Sequence, residues 1–292
     1  MSIPYMGSKR KLVPKIVNTI FQRHGNKPFY DVFGGGGAVS IEALRYFDEV
    51  HYNEIDTAIV NLIEQLKIGI PDYWYEPVSR EKFFEEIEKD TAYAGMVKTC
   101  WSFGNNPRKG YLWGDCAEDK LLLHELCVKN TPELINKARK QIGIELPDKL
   151  KGNTIKERRL FLKRIIKKRI DIQSMERLES LERLERLERL DTSNKDYQEL
   201  EIPHNAIIYC DPPYKGTATY KNAEGFEHDS FINWCLEQPN PIYISEYNMP
   251  KDFEIVSQFS HISILSATNN AKRTIENLFW NKKGNPLNHK LF

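Results

Sequence analysis

Cysteine is scarce in this chain of 292 residues: Cys100, Cys116, Cys127, Cys210 and Cys235 are odd in number, far apart and include no Cys-x-x-Cys pair. That pattern excludes a disulfide scaffold and a thiolate zinc site, and reads as reduced thiols of a cytoplasmic protein. An excess of charge of one sign is also missing, since 42 Lys and Arg face 41 Asp and Glu for a net charge of +1. A nucleic-acid surface therefore has to be a local patch and not a global field. No run of eighteen apolar residues is present to cross a membrane, and no signal peptide is expected at the start. The seven histidines are scattered, with no companion acids or cysteines that suggest a metal site or a Ser-His-Asp arrangement.

What the chain does have is an apolar run, Ile207-Ile208-Tyr209-Cys210, stopped by Asp211-Pro212-Pro213-Tyr214. The run reads as a buried strand, with Cys210 a small apolar member of it. Proline lacks a backbone N–H and fixes its own φ, so Pro212 and Pro213 end the ladder and hold the next backbone extended. The strand thus delivers a tip rich in acceptors: the Asp211 carboxylate, two backbone carbonyls, and the Tyr214 ring to lie against a flat ligand. Such a tip suits an amino group on a planar heterocycle. The exocyclic nitrogen of adenine or cytosine is a poor nucleophile, and acceptors on its hydrogens localise its lone pair and stabilise the charge that develops during attack on a methyl donor. A strand followed by an ordinary Pro-Pro turn explains the same residues more cheaply, so the rest of the chain has to decide.

Phe29 to Phe33 reads as a second buried strand, followed by Gly34 to Gly37 and a helix from Ala38. Strand, glycine turn and helix together form a nucleotide-binding arrangement. A third strand, Val50 to Asn53, ends in Glu54, about twenty residues after the glycines, which is the spacing of an acid that holds ribose hydroxyls. Asn53 and Ile55 would then line the adenine side. These two signals fit a dinucleotide dehydrogenase equally well, and Asp211 to Tyr214 argues against that alternative.

Asp-Pro-Pro-Tyr after an apolar strand resembles the catalytic motif of amino-group DNA methyltransferases that use S-adenosylmethionine. The chain is similar above all to Dam-like adenine-N6 methyltransferases of the phage-encoded kind, over its first 70 or so and last 90 or so residues. The resemblance implies that Tyr5, Gly7, Ser8 and Lys9, matching a Tyr-x-Gly-Gly/Ser-Lys element, contact the methyl donor. It implies a donor site made by Asp31, Phe33, Gly34, Gly35, Gly36, Glu54, Ile55 and Asp211, with Asp196 and Tyr197 nearby as an Asp-Tyr element. The segment from Lys272 to Trp280 resembles the Lys/Arg-x-x-Glu-x-Leu-Phe ending of these enzymes.

Between these ends the pattern turns helical. Residues 100–114 interleave aromatics, amides and basic groups over a turn-rich stretch, and resemble the part of Dam-like enzymes that enters the DNA groove; Asn105, Asn106, Arg108 and Lys109 are the candidates there. Lys149 to Arg169 carries ten basic residues against the single acid Glu157. Arg158, Arg159 and Lys163 are accordingly expected at the phosphate backbone.

Met175 and Leu178, Leu181, Leu184, Leu187 and Leu190 then recur every third residue. In an α-helix that spacing winds around the rod, and the pairs Glu179–Arg183, Glu182–Arg186 and Glu185–Arg189 favour an exposed charged helix with no chemistry of its own.

After Tyr214, residues 215–227 read as a mobile loop, Asp229 starts a capped helix, and Ile242 to Asn248 is a strand whose Ser245 and Glu246 end on the same edge as Asp211. Two later strands are expected at Phe253–Val256 and His261–Leu265. Strands alternating with helices at both ends predict an α/β doubly wound, Rossmann-like sheet. Residues 1–70 and 200–292 are expected to form the catalytic domain, and residues 71–199 a mainly helical inserted target-recognition domain. The expected activity is methyl transfer from S-adenosylmethionine to adenine N6 at a specific sequence of double-stranded DNA, with the adenine flipped out, by a monomer or weak dimer in the cytoplasm, without metal. Cytosine-N4 transfer and a DNA-binding protein that keeps the fold without turnover are the alternatives.

Overall fold

Contacts group the chain into a sheet unit, residues 7–60 and 185–292, and a helical unit, residues 2–6 and 61–184. The computed structural model describes residues 2–5, 9, 11–114, 117–166, 172–213, 226–263, 272–284 and 286–287.

The chain runs through α1 (Val13–His24), β1 (Phe29–Asp31), α2 (Ala38–Ala43), β2 (Val50–Asn53) and α3 (Thr57–Ile68). Helix α1 buries Val13, Ile16, Val17 and Ile20, and carries Pro14 in its first turn, where a missing N–H costs nothing. The helices α4 (Arg80–Glu86), α5 (Ala92–Cys100), α6 (Ala117–Lys129), α7 (Pro132–Ile142), α8 (Ile155–Ile166) and α9 (Gln173–Glu182) follow. The chain closes with β3 (Leu190–Ser193), β4 (Ile207–Cys210), α10 (His228–Glu237), β5 (Ile242–Glu246), β6 (Glu254–Ser263) and β7 (Lys272–Trp280).

The seven strands lie in the order β3-β2-β1-β4-β5-β7-β6. The first five run parallel and β7 runs antiparallel between β5 and β6. This is the doubly wound α/β sheet that the alternation of strands and helices predicts. From β1 the chain moves outward to β2 and β3, and it returns to β4 on the other side. The carboxyl ends of β1 and β4 therefore flank a switch point, where open α/β sheets receive their ligands. The two runs expected as separate strands at 253–256 and 261–265 are one strand over Glu254–Ser263, because β7 pairs along its whole length in a hairpin with a bulge between Ile255 and Ser257.

The helical unit has its own core, formed by Leu122, Leu123 and Leu126 of α6, Ile135 and Ala138 of α7, and Leu162 and Ile166 of α8. Three of its helices, α4, α5 and α7, start on side-chain caps: Ser79 accepts from Lys82 N, Thr91 from Ala94 N and Thr131 from Leu134 N. Each cap satisfies an amide that the helix leaves without a partner.

The repeat does not form the expected exposed helix. Helix α9 stops at Glu182, Arg186 adopts φ 65°, Leu187–Arg189 is a short 3-10 turn, and β3 starts at Leu190. Met175, Leu178, Leu181, Leu187 and Leu190 are all buried. A period of three cannot keep leucine on one face of an α-helix, whereas a 3-10 turn has three residues per turn. Changing secondary structure midway lets nearly every leucine reach a core. Of the expected pairs Glu179–Arg183 is kept, at 3.5 Å, but Glu179 also faces Arg159 of α8, Glu182 accepts from the Tyr75 hydroxyl, and Arg189 donates to the carbonyls of Leu44 and Phe47. Residues 185–199 consequently belong with the sheet, since β3 pairs with β2, and not with the insertion.

Glycine at position 34 is dictated by packing. A Cβ there would lie 2.1 Å from Cε2 of the buried Tyr52 ring on β2. Tyr52 is fixed in turn by donating its hydroxyl to the Gly35 carbonyl at 2.7 Å. We expect Gly34→Ala to lose about 1–3 kcal/mol from overpacking, read as a lower urea midpoint, and a stability equal to wild type would show that the ring moves aside freely.

Candidate active site

Strand β4 is buried throughout, Ile207, Ile208, Tyr209 and Cys210 each being fully covered. It delivers Asp211 to the carboxyl edge of the sheet beside β1, where Val32 N donates to Tyr209 O. Pro212 is buried and Pro213 is half-buried just beyond. Tyr214 and residues 215–225 of the loop expected after it lie outside the described residues, as do Gly7 and Ser8.

Lys9 crosses to this tip. Its ammonium lies 2.9 Å from Asp211 Oδ1 and 2.6 Å from Glu276 Oε1, with the lysine side chain only 7% exposed. Burial opposes the charge on Lys9, but the facing carboxylates of Asp211 and Glu276 outweigh it and raise its pKa above the ordinary lysine value. Glu246, ending β5 on the same edge, accepts from Tyr247 N at 2.7 Å. Burial, followed by the charges of Asp211 and Glu276, pushes its carboxyl up to about 7 against the opposing effects of the Tyr247 amide and Lys9.

Asp31, at the end of β1, is buried and accepts at Oδ2 from Ser40 N and Ser40 Oγ, at 3.1 and 2.5 Å. Its Oδ1 is buried with no hydrogen-bond partner. Burial, with the charges of Asp211 and Glu54, raises Asp31 to about 7 despite the two Ser40 bonds. Glu54 is buried too: Oε2 accepts from Gly35 N at 2.8 Å and Oε1 from Asp56 N at 3.0 Å. Burial raises its pKa, and the surrounding amides pull it back. The glycine turn, Asp31, Glu54 and Asp211 thus share one edge of the sheet. The arrangement offers one orphaned acceptor and several carboxylates, a donor set that fits a ligand rich in hydroxyl or ammonium hydrogens.

Other candidates fall differently. Phe33 packs with Tyr197, Phe226 and Phe231, at centroid distances of 5.6, 5.8 and 5.5 Å. Gly36 is buried in the turn and Ile55 is 48% exposed. Asp196 is exposed and accepts from Gln198 N, capping the short 3-10 turn that begins with the buried Tyr197. Asn53, expected to line an adenine, has its amide committed elsewhere: Nδ2 donates to the carbonyls of Val32 and Lys195, while Oδ1 accepts from Ser193 Oγ and Lys195 N. It ties β2 to β3 and has no capacity left for a base. Tyr5 is half-buried and groups with the helical unit.

In the helical unit, Phe103–Asn105 and Pro107–Lys109 are two short turns closed by a bridge between Ser102 and Tyr111. Asn106 is buried there, its Oδ1 accepting from Arg108 N, so it shapes the turn and does not face a groove. Asn105 is held at φ 57°, and Arg108 and Lys109 are exposed. Two of the three candidates from the basic stretch prove structural. Arg158 donates to the carbonyls of Cys127, Val128 and Asn153, and Arg159 is buried in a pair with Glu179. Both guanidiniums are spent inside the unit, because a helix as basic as α8 packs one of its charged faces inward. Lys163 is exposed and pairs with Glu176 at 2.8 Å.

Glu276 is the residue that motif reading undervalued, having been noted only within a terminal resemblance. Its signal was an acid two residues before Leu278 in a strand pattern, which puts it on the buried face, where a charge calls for a partner. Among the described residues there is no cluster of acids, histidines and cysteines that could hold a metal, and no helix long and apolar enough to cross a membrane.

Residues 5–94 and 153–233, more than half of the chain, match the D12 class N6 adenine-specific DNA methyltransferase family. None of the curated proteins matches the chain. Among solved structures it is similar to the 23S rRNA methyltransferase ErmE, with 11% identity and a TM-score of 0.37 over 98% of this chain and 72% of that one.

Proposed function

The chain belongs to the D12 class N6 adenine-specific DNA methyltransferases, and on that premise we propose how its residues share the work. As a member it transfers a methyl group from S-adenosylmethionine to the N6 amino group of adenine in DNA. When bound, S-adenosylmethionine supplies an electrophilic methyl group on a sulfonium.

Asp211 and the Pro212 carbonyl accept the hydrogens of the adenine amino group. They localise the nitrogen lone pair toward the methyl group and stabilise the positive charge that grows on nitrogen as the bond forms. Tyr214 stacks on an adenine rotated out of a DNA duplex. The turn Gly34 to Gly36, with Phe33 and Ile55 beside it, borders the donor. The Asp31 Oδ1 atom, buried and unpartnered, takes a polar hydrogen from the donor, and Glu54, anchored on Gly35 N, faces its ribose. Tyr5, Gly7, Ser8, Asp196 and Tyr197 complete the surroundings of the donor. The helical unit reads the sequence, with Asn105, Arg108, Lys109 and Lys163 toward DNA. The protein acts on double-stranded DNA as a monomer or weak dimer in the cytoplasm.

The observation that carries this reading is the position of Asp211 at the end of β4, next to β1 and its glycine turn. An acceptor tip and a nucleotide-binding turn on adjacent central strands let a methyl donor and an amine meet. The test is incubation with unmethylated genomic DNA and isotopically labelled S-adenosylmethionine, followed by nucleoside mass analysis. Labelled N6-methyladenine is the expected product. Labelled N4-methylcytosine, or no label from protein shown to bind the donor, would overturn the assignment of the acceptor.

A further inference from the structure

We infer that Lys9 and Glu276 are positioning residues for the transfer: Glu276 on β7 holds the Lys9 ammonium against Asp211 Oδ1, which orients the carboxylate and keeps it an acceptor for the amine. The inference rests on the reading of Asp211 as the acceptor of the N6 hydrogens.

The edge of the sheet is crowded with acids. Among the described residues, Asp31 at the end of β1, Glu246 at the end of β5 and Glu276 on β7 share the edge with Asp211, and the phenols of Tyr209 and Tyr247 and the Cys210 thiol are near enough for its charge to oppose their ionisation. Anions held this close resist ionising together, and burial adds to the penalty. An aspartate in that company protonates readily, and a protonated aspartate has an oxygen that donates where the amine needs an acceptor. Lys9 is the cation that counters this. With Glu276 at 2.6 Å and Asp211 at 2.9 Å, its ammonium is shared between a carboxylate on β7, the antiparallel strand, and one at the tip of β4. The tether on Glu276 fixes where the ammonium sits, because a lysine stem alone leaves its charge free over several rotamers. Occupation of Oδ1 orients the carboxylate.

Steady-state kinetics of the full-length protein across pH, with DNA and S-adenosylmethionine varied separately, test the arrangement. Lys9→Met is expected to lower kcat about tenfold or more, with KM for both substrates within about twofold, and to move the acid limb of the kcat profile upward by about one unit or more. Loss of the cation makes Asp211 harder to ionise, hence the upward direction. Glu276→Leu is expected to lower kcat similarly, Glu276→Gln to restore most of it because its amide oxygen still accepts from Lys9, and Lys9→Met/Glu276→Leu to be no slower than Lys9→Met. If Lys9→Met does not fold, Lys9→Gln carries the same expectation for the acid limb. An unmoved acid limb with wild-type kcat overturns the inference. So does a raised KM for S-adenosylmethionine with kcat intact, which would assign Lys9 to the donor. Asp211→Ala separates the two levels: turnover retained there removes the underlying reading, whereas an inactive Asp211→Ala beside an unaltered Lys9→Met removes only the inference.

Discussion

Asp211→Ala loses about a thousandfold in kcat, the scale set by removing one preorganised electrostatic partner of a transition state, while S-adenosylmethionine binds as in the wild type. The reason lies in what the side chain touches. Asp211 is 27% exposed at the tip of a buried strand, so its removal opens no core cavity, and Lys9 retains Glu276 as a partner. Stability should change little. The donor-side groups, the glycine turn with Glu54 and Asp31, are anchored by Gly35 N and Ser40 and not by Asp211. Calorimetric titration of the donor into the variant and single-turnover transfer to DNA read the two quantities separately. A kcat within tenfold of the wild type would mean that another group accepts the amine hydrogens, and a lost donor affinity would mean that Asp211 serves the cofactor first.

Arg159→Met is expected to destabilise the helical unit by about 3–5 kcal/mol, because it strands a buried carboxylate. Arg159 bridges Glu179 through Nε and Nη2, at 2.6 and 2.9 Å, and Glu176 through Nη1 at 2.8 Å. Glu176 keeps Lys163 when Arg159 is removed; Glu179 is 4% exposed and, among the described residues, keeps Arg183 at 3.5 Å. The companion variant Arg159→Met/Glu179→Leu should recover most of the loss, since a buried pair replaced on both sides by apolar groups is often neutral. Thermal melts of the three proteins give the answer. A single variant as stable as the wild type would return Arg159 to the surface, and a DNA affinity lowered without loss of stability would return it to the phosphate backbone.

The legible parts of this chain are those where one residue type has one physical solution. Proline after a run of apolar residues can only end the strand, and four glycines between a strand and a helix can only be a turn, so β4 with its tip and β1 with its turn follow from the sequence. The strand order does not: β3 arises at the end of the repeat, where a helix was expected, and takes the sheet edge beside β2. Charge was harder to read. A basic stretch looks the same whether its arginines meet phosphate or carbonyls, and only tertiary structure shows Arg158 on three backbone oxygens. Glu276 is the opposite case: its partner Lys9 is nearly the whole chain away, and no local spacing links them. The repeat misled for a third reason. Helical charge pairs four residues apart are a local preference worth a few tenths of a kcal/mol each, and burial of Leu187 and Leu190 outweighs them.

Arg183 to Arg186, where the repeat leaves α9 before its 3-10 turn, has an evolutionary consequence. A Leu-Glu-Arg block is three whole codons, so its gain or loss leaves the reading frame intact. A block gained lengthens only this connection, and doubling a loop costs about 0.6 kcal/mol, while the same Leu-Glu-Arg-Leu string still supplies the turn and the first residue of β3. A block lost takes the connection itself and pulls on β3 at the sheet edge. Length at this point can therefore drift upward among descendants of the gene far more readily than downward.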